Sequence, residues 1–167
     1  MSTYNMILSS NESTVVAEYE PQVKRSDSYQ SEAALEQAFI KMLVEQGYEY
    51  VTIHSEDALI DNLRMQLERL NQYSFTDKEW DSFFKHKIAN HNDGIVEKTR
   101  KIQEDHVQNL TREDGTTMNI SLIDKKNIHN NRLQVMNQYE ENGGKHDTRY
   151  DVTILVNGLP LVHVELK

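Results

Sequence analysis

Asp151, Glu165 and Lys167 stand where a buried strand should carry no charge. Asp151 heads the β-branched run Tyr150-Asp151-Val152-Thr153-Ile154, and Glu165 and Lys167 close the run Leu161-Val162-His163-Val164-Glu165-Leu166-Lys167. Burying an unpaired carboxylate or ammonium is costly unless a partner or a metal compensates. Side chains alternate along a strand, so Glu165 and Lys167 share a face, with Cα atoms about 6.5 Å apart. Two carboxylates and an ammonium on one face make a site for a hard cation such as Mg²⁺, which takes oxygen ligands and keeps several waters. Such a cation lowers the pKa of a bound water and neutralises charge building on a phosphate, while the lysine orients or deprotonates that water.

Whether Asp151 joins the other two depends on the hairpin through Asn157-Gly158-Leu159-Pro160. A three-residue loop with Gly158 left-handed in a bulge opposes Asp151 to an odd-numbered residue, on the Glu165 face. A two-residue Asn-Gly turn sends it to the other face. The need to share one cation favours the first. The acid-x-Lys pattern alone is short enough to arise by chance, and it occurs a second time as Asp124-Lys125-Lys126. By itself it reads better as a structural ion pair. Context separates the copies, because Asp124 sits in a polar stretch whereas Glu165 ends an apolar β-run.

The elements that must position these residues follow from periodicity. Leu35, Ala38, Phe39, Met42 and Leu43 recur at helical spacing after Ser31, and Gly47 is a fitting C′ residue, so a helix is predicted over about Ser31–Gln46. Tyr48 to Ile53 reads as a small strand or extended link. Ser55 caps a second helix running through Leu59, Leu63 and Leu67 to about Asn71. Thr76 and Glu79 have capping-box spacing before a third helix carrying Trp80, Phe83, Phe84 and Ile88, most simply core residues. Ile95 to Ile102 is ambiguous between helix and loop. Two stretches about Glu113-Asp114-Gly115 alternate as hairpin strands, Arg132 to Tyr139 is a strand, and a loop with Asn142-Gly143-Gly144 follows. Tyr150–Val156 and Leu161–Lys167 read as central strands, apolar on both faces near their middles. Helices first and a sheet second mean an α/β or α+β class. Residues 1–30 are polar and read as an N-terminal arm with one short strand. Because the run stops on Lys167 with no covering element, the expectation is a domain truncated after that strand.

A chain of 167 residues, 37% hydrophobic and 27% charged, is sized for one domain with a modest core. Its net charge of -9 repels a polyanion at long range, so contact with nucleic acid needs a local basic patch, a bound cation or partner subunits. The lack of cysteine excludes disulfides, thiolate zinc sites and cysteine nucleophiles. No run of about 18 apolar residues and no signal peptide is present, which makes the default location cytoplasmic, with no membrane partner.

Taken together, Asp151, Asn157-Gly158-Leu159-Pro160 and Glu165-Leu166-Lys167 resemble the nuclease motif of the restriction subunit (HsdR) of type I restriction-modification enzymes, in the PD-(D/E)XK superfamily. Asn131-Arg132-Leu133-Gln134-Val135-Met136-Asn137-Gln138 resembles the strand before it, and Ser31-Glu32-x-x-Leu35-Glu36 the family's opening helix. The resemblance covers about Ser31 to Lys167. It implies a restriction-endonuclease-like core, a mixed β-sheet flanked by α-helices, over residues 31–167. It also implies that Asp151 and Glu165 ligate Mg²⁺, with the Leu166 carbonyl as a further ligand, and that Lys167 is the catalytic lysine. The activity implied is that of a type I site-specific deoxyribonuclease acting on double-stranded DNA with modification (M) and specificity (S) subunits, coupled to ATP-driven translocation.

The departures matter. Tyr150 replaces the family's proline, and the glutamine-and-tyrosine helix motif that follows the lysine has no counterpart. No G-x-x-x-x-G-K-[ST] occurs, Gly143-Gly144-Lys145 being followed by His146. ATP binding therefore belongs to motor domains outside this chain, and the piece alone is expected to be inactive. Rival readings are a repair-type PD-(D/E)XK nuclease and a catalytically silent docking module.

Other residues carry secondary expectations. Glu32 could assist the metal from the first helix, though a solvated first-turn carboxylate is the simpler reading. His163 shares parity with Glu165 and reads first as structural. Lys98, Arg100 and Lys101 form a dense basic cluster, either a solvated face or a phosphate contact. His86 and His91 are five apart, the wrong spacing for a zinc pair on one helix face.

Overall fold

The computed structural model describes residues 4–9, 15–19, 31–141 and 148–166. Lys167 and the loop Asn142-Gly143-Gly144-Lys145 lie outside them. The chain divides into Met1–Gln30 and Ser31–Lys167. In the first unit, β1 (Tyr4–Ser9) pairs antiparallel with β2 (Val15–Tyr19), with a register shift between Met6 and Leu8. The sequence reading expected one strand there. Backbone pairing makes two, which scattered apolar residues do not announce.

In the second unit the helices begin where their caps require. α1 (Glu32–Glu45) starts at Ser31, whose Oγ accepts the Ala34 N–H, and Gly47 at φ 96° follows its last turn. β3 (Glu49–Tyr50) leads to α2 (Glu56–Asn71), capped by Ser55 through the Ala58 N–H. α3 (Asp77–Phe83) carries the full Thr76/Glu79 capping box and continues into a π-helical stretch, Phe84–Ile88. The ambiguous segment is helical, α4 (Ile95–Gln103). Its apolar residues escape a clear stripe because Ile95 and Val96 face solvent.

β4 (Val107–Thr111) and β5 (Thr117–Ser121) form the expected hairpin. Their Leu110 and Ile120 share a core with Leu63 and Leu67 of α2 and with Phe75, Trp80 and Phe83. The remaining strands are β6 (Leu133–Glu141), β7 (Thr148–Val156) and β8 (Leu159–Val164). They join β3 in a four-stranded mixed sheet of order β3-β6-β7-β8, with β3 parallel to β6 and the other pairs antiparallel.

Helices cover both faces. On one, Leu43 of α1 packs against Val135 and Val152. On the other, Ala58 and Leu59 of α2 pack against Met136 and Leu155. A buried clasp locks α2 in place: the Asn62 amide donates to Gln134 Oε1 at 2.9 Å, and Gln134 donates back to Asn62 Oδ1 at 3.2 Å. The class is α/β, a mixed sheet flanked by helices.

One expectation is corrected. Leu161–Lys167 is not a central strand: β8 ends at Val164 and borders the described sheet, with Leu161 and Val162 41% and 45% exposed. The central strand is β7, whose Val152 and Leu155 are fully buried. An apolar β-run cannot by itself reveal whether it has one strand neighbour or two.

Candidate active site

The site grows from a turn. Asn157 and Gly158 both have positive φ, 50° and 80°, as a two-residue type I′ turn demands, and Val156 pairs with Leu159 to close it. The turn is fastened on two sides. Asn157 Oδ1 accepts the Arg132 N–H at 2.8 Å, and its amide donates to the Leu122 carbonyl at 3.0 Å and to Asn131 Oδ1 at 2.8 Å. Gly158 lies so close to α2 that a Cβ there would come within 2.6 Å of Leu63 Cα.

Such a turn, continued regularly, would oppose Asp151 to Val164 and turn it away from Glu165. The ladder does not continue regularly. Leu155 pairs with Pro160, but Ile154 pairs with Val162, so Leu161 is an extra residue. Pro160 has no N–H to give the ladder, and a bulge beside it absorbs one position. Beyond the bulge Thr153 pairs with His163 and Val152 with Val164. One step further, the same register sets Asp151 opposite Glu165. The two-residue turn expected to separate the carboxylates is therefore present, and the bulge undoes its effect.

Asp151 is half-buried, and its Oδ2 accepts the Leu166 N–H at 2.7 Å, which ties β7 to the backbone just past β8. Val152, Val164 and Leu166 pack with α1. Alternation puts Asp151 and Thr153 on the opposite face, and Glu165, between Val164 and Leu166, is exposed. On this face Thr153 Oγ1 and His163 Nδ1 are 3.0 Å apart, the hydroxyl buried and the imidazole exposed. Lys167 falls outside the described residues. Among the described residues no group of three or more His, Asp or Glu side chains is arranged to hold a metal. The available oxygen donors are the two carboxylates and nearby backbone carbonyls, a hard set of the kind Mg²⁺ takes.

The other candidates separate cleanly. Glu32 is exposed in the first turn of α1, on the helix that covers the Val152 face, and is not brought to Asp151. Its neighbour Glu36 is buried there, accepting from Asn137 Nδ2 at 2.6 Å, while the Tyr50 hydroxyl donates to Asn137 Oδ1 at 2.7 Å. Of the basic cluster, Arg100 faces Glu104 at 3.7 Å, and Lys101 is held by Asp93 and the Lys87 carbonyl. A cavity of about 560 Å³, lined by α2, α4 and the β7–β8 hairpin, contains neither Asp151 nor Glu165. The residues that sequence reasoning missed are Thr153 and the fastening role of Asn157. Thr153 shares parity with Asp151 in one short run, and that parity was the available signal.

Comparison with known sequences now bears on this geometry. The family described as type I restriction enzyme R protein N terminus (HSDR_N) matches residues 29–167. The chain belongs to this family. It is similar to the type I restriction enzyme EcoprrI endonuclease subunit of Escherichia coli, 47% identical over 162 residues, 96% of this chain and 51% of that protein. It is also similar to the type I restriction enzyme SsaAORF53P endonuclease subunit of Staphylococcus saprophyticus, 38% identical over 144 residues, 83% of this chain and 15% of that protein. The chain thus spans about half of one relative and a small part of the other. The HSDR_N match takes in all of α1 through β8, and with them Asp151, Glu165 and Lys167. Among the described residues no helix is long and apolar enough to cross a membrane.

Proposed function

We propose that this chain is the DNA-cleaving part of a type I restriction enzyme, a Mg²⁺-dependent phosphodiesterase with a PD-(D/E)XK core. The observation that carries the reading is the Leu161 bulge, which sets Asp151 opposite Glu165 within the segment matched by the family. Asp151 and Glu165 would hold the metal, with the Leu166 carbonyl beside them. When bound, Mg²⁺ supplies charge neutralisation at the phosphate and a more acidic water. The chain's own part is positioning. The Leu166 N–H fixes one Asp151 oxygen, so the carboxylate is oriented before any ligand arrives. Lys167, the last residue of the motif, orients the attacking water, whose oxygen forms the new bond to phosphorus while the bond to the leaving sugar oxygen breaks. With a net charge of -9 the chain draws no DNA to itself at long range. Modification and specificity subunits, and an ATP-driven motor in the full-length subunit, would bring double-stranded DNA to it.

The test is made in the assembled full-length enzyme. Asp151→Ala, Glu165→Ala and Lys167→Ala should each lower cleavage by about 10³-fold or more, non-additively, because the residues serve one step. Assembly and ATP hydrolysis should be retained. Cleavage near the wild-type rate in any of the three overturns the assignment.

A further inference from the structure

We propose that His163 contacts a backbone phosphate of the DNA at the cleavage site; the inference rests on the nuclease reading above. His163 occupies the same-face rung next to the one shared by Asp151 and Glu165, a rung away being about 6.5 to 7 Å along a strand. That is within reach of a group bound between the carboxylates and the next phosphate. The ring is not loosely hung. Its Nδ1 lies 3.0 Å from the hydroxyl of Thr153, which is 1% exposed and set by the fully buried centre of β7. A buried threonine hydroxyl against an exposed imidazole fixes the plane of the ring at one nitrogen and turns the opposite Nε2 edge away from the sheet.

When the hydroxyl donates to Nδ1, the ring proton resides on Nε2, which is then a donor suited to a phosphate oxygen. A neutral or singly charged donor is what this face needs, since Asp151 and Glu165 both add negative charge where a phosphate must approach. The competing role is purely structural, a cross-strand pair of the kind that steadies many sheets. The two roles use different nitrogens, and this makes them separable.

Glutamine places its amide nitrogen near the position of imidazole Nε2, whereas asparagine places its own near Nδ1. In the assembled full-length enzyme, His163→Gln should keep kcat/KM for cleavage and affinity for a short DNA duplex within about 3-fold of wild type. His163→Asn, which keeps the Thr153 contact and loses the reach, should lose about 10-fold or more in both, the scale of one hydrogen bond to a charged group. Retained assembly and ATP hydrolysis report that both variants fold. Equal behaviour of the two variants at any level, or the reverse order, overturns the proposal. Asp151→Ala run alongside separates the parent reading: if it still cleaves, the nuclease assignment fails, while the Gln-over-Asn order in duplex affinity continues to decide His163.

Discussion

Two regions of this molecule carry the same three-residue pattern, an acid, any residue and a lysine, and they use it differently. In the loop after β5, Asp124 spends its carboxylate on its own neighbourhood. Oδ1 accepts the N–H groups of Lys126 and Asn127, both at 2.9 Å, and Oδ2 accepts from Asn130 Nδ2 at 2.8 Å. The Asn127 N–H, then the Asn130 amide, hold its pKa below the usual aspartate value. This is an acid that folds a loop, closing the 3₁₀ turn Ile128–Asn130. At the other copy, Glu165-Leu166-Lys167, the middle residue gives its backbone N–H to a different acid, Asp151, fifteen positions away across a hairpin. The comparison teaches that the pattern carries no meaning until register assigns it a partner. An acid saturated by adjacent backbone is structural, whereas one tied to a second acid's strand is part of a shared face.

The sharpest way to break this contrast is a crossed pair of isosteric substitutions. Asp151→Asn should reduce DNA cleavage by about 10³-fold while leaving the thermal midpoint nearly unchanged, because its one described hydrogen bond, from the Leu166 N–H, can be kept by an amide oxygen. Asp124→Asn should do the reverse, lowering the midpoint by a few degrees with cleavage per folded molecule intact. A cleavage assay and a melt on each variant check both halves, and a cleavage defect in Asp124→Asn would dissolve the distinction.

Next in size is Gly158→Ala. The position has φ 80°, and the new Cβ would meet Leu63 Cα at 2.6 Å and Leu63 N at 3.1 Å, backbone atoms of a packed helix that have little room to yield. A loss of about 2 to 4 kcal/mol is expected in a denaturant melt, from overpacking and backbone strain together. It should exceed any loss from substitutions in the Asp124 loop.

The smallest effect sharpens the comparison in pH. Asp124 and Glu79 both have depressed pKa values, Glu79 through the N–H of Thr76 first, opposed by burial, and then through the Tyr73 hydroxyl and the Glu113 N–H. A depressed carboxylate stabilises the fold fully above its unfolded pKa, about 4, and that contribution is lost as pH falls through the folded value. The stability gap between wild type and Asp124→Asn or Glu79→Gln should therefore be constant near neutral pH and close below about pH 4. Melts across that range check it. A gap that widens on acidification would contradict the sign.

Much of this architecture was legible because its signals are local. Ser31, Ser55 and the Thr76/Glu79 box announce their helices within four residues, and Trp80 and Phe83 lie in the core as an amphipathic helix requires. The runs around Val135, Val152 and Val162 also declare strands. What was hidden is relational. The parity of Asp151 and Glu165 depends on one unpaired residue at Leu161, and nothing in Leu159-Pro160-Leu161 states whether the extra position is used. The end of β8 at Val164 depends on the Leu166 N–H leaving the ladder for Asp151. The Thr153–His163 contact follows only once that register is known. Lys167, central to the sequence reading, lies outside the described residues.

The Leu161 bulge also decides which insertions and deletions the hairpin can survive. Between Asp151 and Glu165, gaining or losing residues in pairs leaves the two acids facing one another, whereas a single deletion at the bulge rotates everything after it by half a pleat and delivers Glu165 to the α1 side. None of the acids need change for the face to be dismantled. Length in this stretch is therefore under a constraint as strict as any on residue identity, and it is one that a count of substitutions would never register.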